Sequence, residues 1–247
     1  LRIANDDFAG SSLDAWWVPL QANLLTSGWT VGNGYLQASV DSAVHTYNNE
    51  IGCCLGQRVL RPASGFAFDV ALELQAFNAT FTDVPAAGAP RIVALGWWRP
   101  QFAITGAAAG GGLTASDIED SHCGIGRAPG GTNGTAISAE FKRTIASSSG
   151  GPADPDGGAK WDTVPAPDPA TALGWARLRC EDDELTYWVA ESQGSPGAGT
   201  IPTASDYTLI YTADCSAMGR FGYIGPRLYT NTNGVGGRFY RMLNVIG

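Results

Sequence analysis

"FAFDVALELQAF", residues 66 to 77, alternates with a period of two: Phe66, Phe68, Val70, Leu72, Leu74 and Ala76 share one parity, and Ala67, Asp69, Ala71, Glu73 and Gln75 share the other. Successive side chains of a β-strand point to opposite faces, so the stretch predicts a strand with a core face and a wet face. "WARLRCEDDELTYWVAE", residues 175 to 191, repeats the logic. There Ala176, Leu178 and Cys180 alternate with Trp175, Arg177 and Arg179 ahead of the acidic run Glu181 to Glu184, which reads as a hairpin whose turn charges are solvated.

Working outward, further strand candidates are "GYLQASV" (34–40), "RIVALGWW" (91–98), "HCGIGRA" (122–128), "TAISAEFKRTIA" (135–146), "YTLIYTA" (207–213), "GRFGYIGPRLYT" (219–230) and "GRFYRMLNVI" (237–246). No segment has the 3.6-residue period of a long amphipathic helix. With 33 glycines and 14 prolines punctuating these runs, the sequence predicts an all-β chain, a two-sheet antiparallel β-sandwich. Residues 1–247 read as a single domain, with long loops near 105–116 and 147–172, because the strands on either side of the second stretch are too few to close separate cores.

Composition narrows the function classes. Hydrophobic residues make up 44% of the chain and charged residues 15%, enough to build a sizeable core. The net charge of -8 gives no general attraction to phosphate backbones, so nucleic acid is not an expected partner. The longest apolar run, Ile92 to Trp98, falls far short of the ~20 residues of a bilayer-spanning helix, and no membrane insertion is expected. The opening "LRIANDDF" has neither an initiator Met nor the basic and apolar regions of a signal peptide, which points to a processed N-terminus.

Five cysteines, Cys53, Cys54, Cys123, Cys180 and Cys215, are an odd number, so at least one lies outside any intrachain disulfide. Buried free thiols are the expected state, since Cys packs as a small hydrophobe. No spacing reads as a zinc site, and no metal or cofactor is expected.

The order of signals "DDFAGSSLDAWW" (6–17), "GWTVGNGYLQAS" (28–39), "WARLRCEDDELTYWVAE", "MGRFGYIGPRL" (218–228) and "GGRFYRMLNV" (236–245) resembles the concanavalin A-like lectin/glucanase superfamily. The resemblance implies a jelly-roll sandwich in which Asp6 and Asp7 begin the first strand, Phe8 enters the core and "WTVGNGYL" forms an early hairpin. Members with a structural calcium ion take ligands near the first strand and from an Asp in the last. The last strand here offers Arg241 and Asn244 but no acid.

Catalytic, laminarinase-like members carry Glu-x-Asp-x-x-Glu or Glu-x-Asp-x-Glu on one strand, where residues i and i+2 share a face and flank a glycosidic bond. The nearest match is "SDIEDSH" (116–122), in which Asp117 and Glu119 have the spacing but Ser121 stands where a third acid is required. His122 falls on the opposite parity. Asp69 and Glu73 share a face but lie roughly 13 Å apart, outside the ~6.5–9.5 Å window of inverting glycosidases. No catalytic residue is therefore assigned.

Sugars are bound by aromatic faces together with planar amides and guanidinium groups. Consecutive Trp97 and Trp98 must point to opposite faces of a strand, leaving one to meet a ligand, with Arg99 beside it. Trp16 and Trp17 pose the same alternative. The loop containing Tyr229, Asn231 and Asn233 adds stacking and amide groups. Trp97, Trp98, Arg99, Tyr229, Asn231 and Asn233 are thus the expected carbohydrate-binding residues. The leading expectation is a non-catalytic, lectin-like module mediating glycan or surface attachment, located extracellularly or on a virion surface. The alternatives are a structural subunit contacting neighbouring subunits of a phage virion or extracellular assembly, and a polysaccharide-degrading hydrolase or lyase.

Overall fold

A computed structural model describes residues 3–19, 29–40, 55–78, 91–98, 120–127, 136–142, 160–165, 172–216, 220–230 and 235–245. They form fourteen strands in two seven-stranded antiparallel sheets. The first sheet runs, in spatial order, β1 (Val18–Pro19), β4 (Leu55–Leu60), β13 (Phe221–Thr230), β6 (Arg91–Trp98), β7 (Asp120–Arg127), β8 (Ala136–Lys142) and β9 (Lys160–Pro165). The second runs β12 (Thr208–Asp214), β11 (Glu184–Glu191), β10 (Leu173–Glu181), β5 (Phe66–Asn78), β14 (Val235–Asn244), β3 (Tyr35–Val40) and β2 (Trp29–Gly32). Among the described residues the only helical element is a 3-10 turn at Ala204–Asp206. The chain is an all-β, two-sheet sandwich of jelly-roll type.

Local chemistry sets the two tightest hairpins. Asp182 and Asp183 join β10 to β11, both with positive φ (48° and 63°), and Asn33 and Gly34 join β2 to β3 at 59° and 77°. Two consecutive left-handed residues match the twist of the flanking strands, and Asp and Asn tolerate that region better than other side chains.

The two sheets share one apolar core. Leu36, Phe68, Val70, Leu72, Leu74, Leu178, Tyr187, Phe239 and Met242 come from the second sheet, and Leu55, Val59, Val93, Leu95, Ile224 and Leu228 from the first. Burial of each such side chain contributes roughly 1.5–3 kcal/mol before conformational entropy is counted. The sheets pack tightly at Gly237, where an added Cβ would lie 2.8 Å from Val93 Cγ1 and 3.1 Å from Leu228 Cδ1. The opening segment closes one side of the core. Asp6 bridges Met242 through paired backbone hydrogen bonds, Phe8 is buried, and the two adjacent indoles divide, with Trp17 at 5% exposure and Trp16 at 45%.

Two expectations are corrected. The second face of β5 is not wet: Asp69, Ala71 and Glu73 are buried, under the chain that runs from Ser192 to Tyr207. The stretch 147–172 is not one loop either, because Lys160–Pro165 pairs with β8 as the edge strand β9. Its "KWDTVP" is short, weakly alternating and Pro-terminated, and a Gly/Pro-rich setting concealed it. Residues 105–116 lie outside the described residues.

Candidate functional site

The outer face of the second sheet gathers aromatic and charged side chains from four strands. In β10 the outward parity is Trp175, Arg177 and Arg179, and in β11 it is Thr186, Trp188 and Ala190. Register places Arg177 beside Trp188, and Trp175 between Ala190 and Glu73. Arg177 Nε and Nη2 each donate to Asp69 at 2.6 Å, a bidentate pair in a buried setting. The hydrogen bond to Asp69 raises the pKa of Arg177 against the opposing effect of burial, which keeps this guanidinium charged.

The same cation lies 5.8 Å from the Trp188 ring centroid and 5.1 Å from that of Tyr207. Trp188 Nε1 donates to Thr186 Oγ1 at 2.9 Å, whose hydroxyl in turn donates to the Arg179 carbonyl at 3.2 Å. The half-buried indole is therefore held at its edge and over one face before any ligand arrives. Beside it, Arg179 and Glu181 form an ion pair with both side chains more than a third exposed, and Leu209, the register partner of Trp188 on β12, is exposed as well.

Deeper on this face Glu73 is fully buried and accepts from Arg241 Nε at 2.7 Å, Ser192 Oγ at 2.7 Å and Gly197 N at 3.1 Å. Arg241 also donates to the Gly199 carbonyl at 2.8 Å and lies 5.0 Å from the Trp175 ring centroid. An added Cβ at Gly199 would meet the Gln193 carbonyl oxygen at 2.1 Å, so the covering segment needs glycine at that point. Both carboxylates that the sequence offered as an acid pair are thus fixed by arginines, Asp69 by Arg177 and Glu73 by Arg241.

The acidic hairpin tip is also engaged rather than merely solvated. Arg61 Nη1 donates to Asp183 Oδ1 at 2.6 Å, and Arg220 grips the same carboxylate through both terminal nitrogens. The hydrogen bond from Arg220, reinforced by Arg61, lowers the pKa of Asp183 below its ordinary value. Arg61 and Arg220 flank β4 and β13 of the first sheet, so this clasp joins the two sheets at one end.

Trp97 and Trp98 lie on β6. Trp97 is in register with the core residue Ile224 and with Ser121, and Trp98 with Tyr223 and Asp120. Tyr229 pairs with Ile92, five residues away from Trp97 along the strand, a separation of roughly 16 Å. The β6–β13 ladder therefore sets the two tryptophans and Tyr229 at opposite ends instead of in one patch. Arg99, Asn231 and Asn233 lie outside the described residues, as do Asp117 and Glu119.

Sequence reading overlooked Trp188, although the alternation of "LTYWVAE" carried the signal: Leu185, Tyr187 and Val189 are core residues, which turns Thr186 and Trp188 outward.

The donor set for a calcium ion between the first and last strands is not assembled by the described residues. Asp6 already accepts from Phe8 N at 2.7 Å and Trp17 Nε1 at 2.6 Å, Arg241 is a cation, and no cluster of three or more His, Cys, Asp or Glu side chains suited to a metal occurs among those residues.

No family model matches the chain, and no curated protein matches it. Among solved structures it is similar to the CBM2 module of the evolved Dit of Lactobacillus casei phage J-1, with TM-score 0.54 and 10% identity over 100% of this chain and 96% of that one. It is similar to LamAcat from Zobellia galactanivorans, with TM-score 0.53 and 9% identity over 97% of this chain and 95% of that one. A functionally unknown protein from Saccharomyces cerevisiae gives TM-score 0.52 and 14% identity, covering 94% of this chain and 96% of that one. Identities this low carry the fold alone, and the fold is a β-sandwich of the concanavalin A-like kind.

Proposed function

We propose that the chain is a non-catalytic glycan-binding module that attaches its carrier to a saccharide surface, outside the cell or on a virion. The observation that carries this reading is the half-exposed Trp188, fixed by Arg177 and Thr186 beside the exposed Arg179 and Glu181. A sugar ring stacks its CH face on an indole, and the neighbouring guanidinium and carboxylate read its hydroxyls. An aromatic ring that is already ordered loses little conformational entropy on binding.

Two further points support the reading. Asp69 and Glu73 are committed to Arg177 and Arg241, which suits positioning better than proton transfer. The similar CBM2 module is a binding module by its name, and it shares the fold. Two further contact surfaces are proposed, one with Trp97 or Trp98 of β6 and Arg99, the other with Tyr229 of β13, Asn231 and Asn233. Residues 1–247 are proposed to fold as one domain, because the shared core draws on residues from Ile3 to Met242.

A competing reading, a structural subunit packed against neighbours, draws on the exposed Trp16, Leu60, Phe66, Ile201 and Leu209. The readings separate experimentally. A glycan array with the wild type, Trp188→Ala and Trp98→Ala, paired with a reducing-end assay on each hit, should give binding without turnover and loss of binding in Trp188→Ala. A silent array with self-association at rising concentration supports the subunit reading, and turnover overturns the non-catalytic one.

A further inference from the structure

Three of the five cysteines are described, and all three are buried, but their surroundings differ. Cys123 on β7 has no sulfur neighbour within hydrogen-bonding reach among the described residues. Its thiol donates to the Trp188 carbonyl at 3.5 Å, and burial raises its pKa, which keeps it protonated and unreactive. Cys180, at the end of β10, and Cys215, just after β12, face each other with Sγ atoms 3.7 Å apart.

Arg61 Nη1 donates to Cys215 Sγ at 3.0 Å and lies 3.9 Å from Cys180 Sγ, while the Cys215 backbone is pinned by bonds to the Asp183 carbonyl and to Arg61 Nη2. The two thiols are therefore held together by the hairpin tip and a cation. Closing 3.7 Å to the ~2.05 Å of a disulfide takes less than 2 Å of combined movement.

We propose that Cys180 and Cys215 form an intrachain disulfide that ties the β10–β11 hairpin to the β12–β13 connection, with Cys123 remaining a thiol. The oxidant is a low-molecular-weight disulfide. The Cys180 thiolate attacks one of its sulfurs and releases the first small thiol. The Cys215 thiolate then attacks Cys180 Sγ, forming the protein S–S bond and releasing the second. Two protein thiols are oxidised by two electrons in all, the external disulfide is reduced, and the two protein protons end on the released thiols.

Cys180 suits the attacking role. The hydrogen bond from Cys215 lowers its pKa, against burial and with the Arg61 charge assisting, whereas the pKa of Cys215 is raised. The bond would close a loop across a sequence separation of 35 residues, which restricts the unfolded chain and reinforces the Arg61–Asp183–Arg220 clasp between the sheets.

The test uses the full chain. After refolding from denaturant in a glutathione redox buffer, which exposes every thiol to the oxidant, free thiols are blocked under denaturing conditions and the protein is digested without reduction. Mass spectrometry should find the Cys180 peptide joined to the Cys215 peptide, lighter by about two hydrogens than their sum, and the blocking group on Cys123. Adding reductant should lower the melting temperature by roughly 5–10 °C in the wild type and leave Cys215→Ala unmoved. Blocked Cys180 and Cys215, a bond from either to Cys53 or Cys54, or a wild-type melting temperature insensitive to reductant would each overturn the proposal.

Discussion

The two faces of β5 are both buried, yet by different means. Toward the first sheet, Phe68, Val70, Leu72, Leu74 and Ala76 meet apolar partners. On the other side Asp69, Ala71 and Glu73 are covered by Trp175, Tyr207 and the segment from Ser192 onward, and the charges are neutralised by Arg177 and Arg241. Alternation tells which residues share a face but not whether something lies over that face. Carboxylates buried beneath a cover are stable only with every oxygen bonded, and Glu73 meets this condition with three donors.

The contrast can be broken from its more demanding side. Glu73→Ala leaves the Arg241 cation buried without its carboxylate and should cost about 3–5 kcal/mol in denaturant unfolding. Replacing both partners with Met should recover most of that loss, since buried ion pairs exchange for hydrophobic side chains at little net cost. If Glu73→Ala is near neutral, the outer face is open to water and the cover is not closed. On the inner face Leu72→Ala should cost about 2–5 kcal/mol, and no second substitution of a charged residue should rescue it.

A smaller effect sharpens the comparison by pH. Because Arg220 and Arg61 lower the pKa of Asp183 in the folded state, its contribution is present in full above the unfolded carboxylate pKa of about 3.9 and is lost as pH falls through the folded value. Wild type should therefore melt higher than Asp183→Asn at neutral pH, with the gap closing under acid. A gap independent of pH would mean that the carboxylate charge is not what holds the clasp.

The sandwich was legible because its long strands carry period-two patterns and its hairpins carry Asn-Gly and Asp-Asp turns. The strands β4 and β9 were not, being six residues each with weak alternation, Gln57 and Arg58 in one and a Lys, an Asp and a terminal Pro in the other. Buried Gln57 is satisfied by Ala4 from 53 residues away, a partner that no local pattern announces. The candidate site was legible only as an inventory of tryptophans. Trp97, Trp98 and Tyr229 look adjacent in composition, whereas antiparallel register separates them, and register depends on partners distant in sequence. Trp188 could be placed on the outward parity from its own hairpin, but the Arg177 cation over its ring is held by Asp69, a partner 108 residues away in sequence.

The most direct test of the central claim is a calorimetric titration of a glycan hit from the array against wild type and Trp188→Ala, with both proteins first shown to be folded. Losing the indole should cost roughly 1–3 kcal/mol of binding, about 5- to 150-fold in affinity, while no new reducing ends form in either sample. Unchanged affinity in Trp188→Ala would place the contact elsewhere on the molecule, and steady release of reducing ends by the wild type would contradict a role in attachment alone.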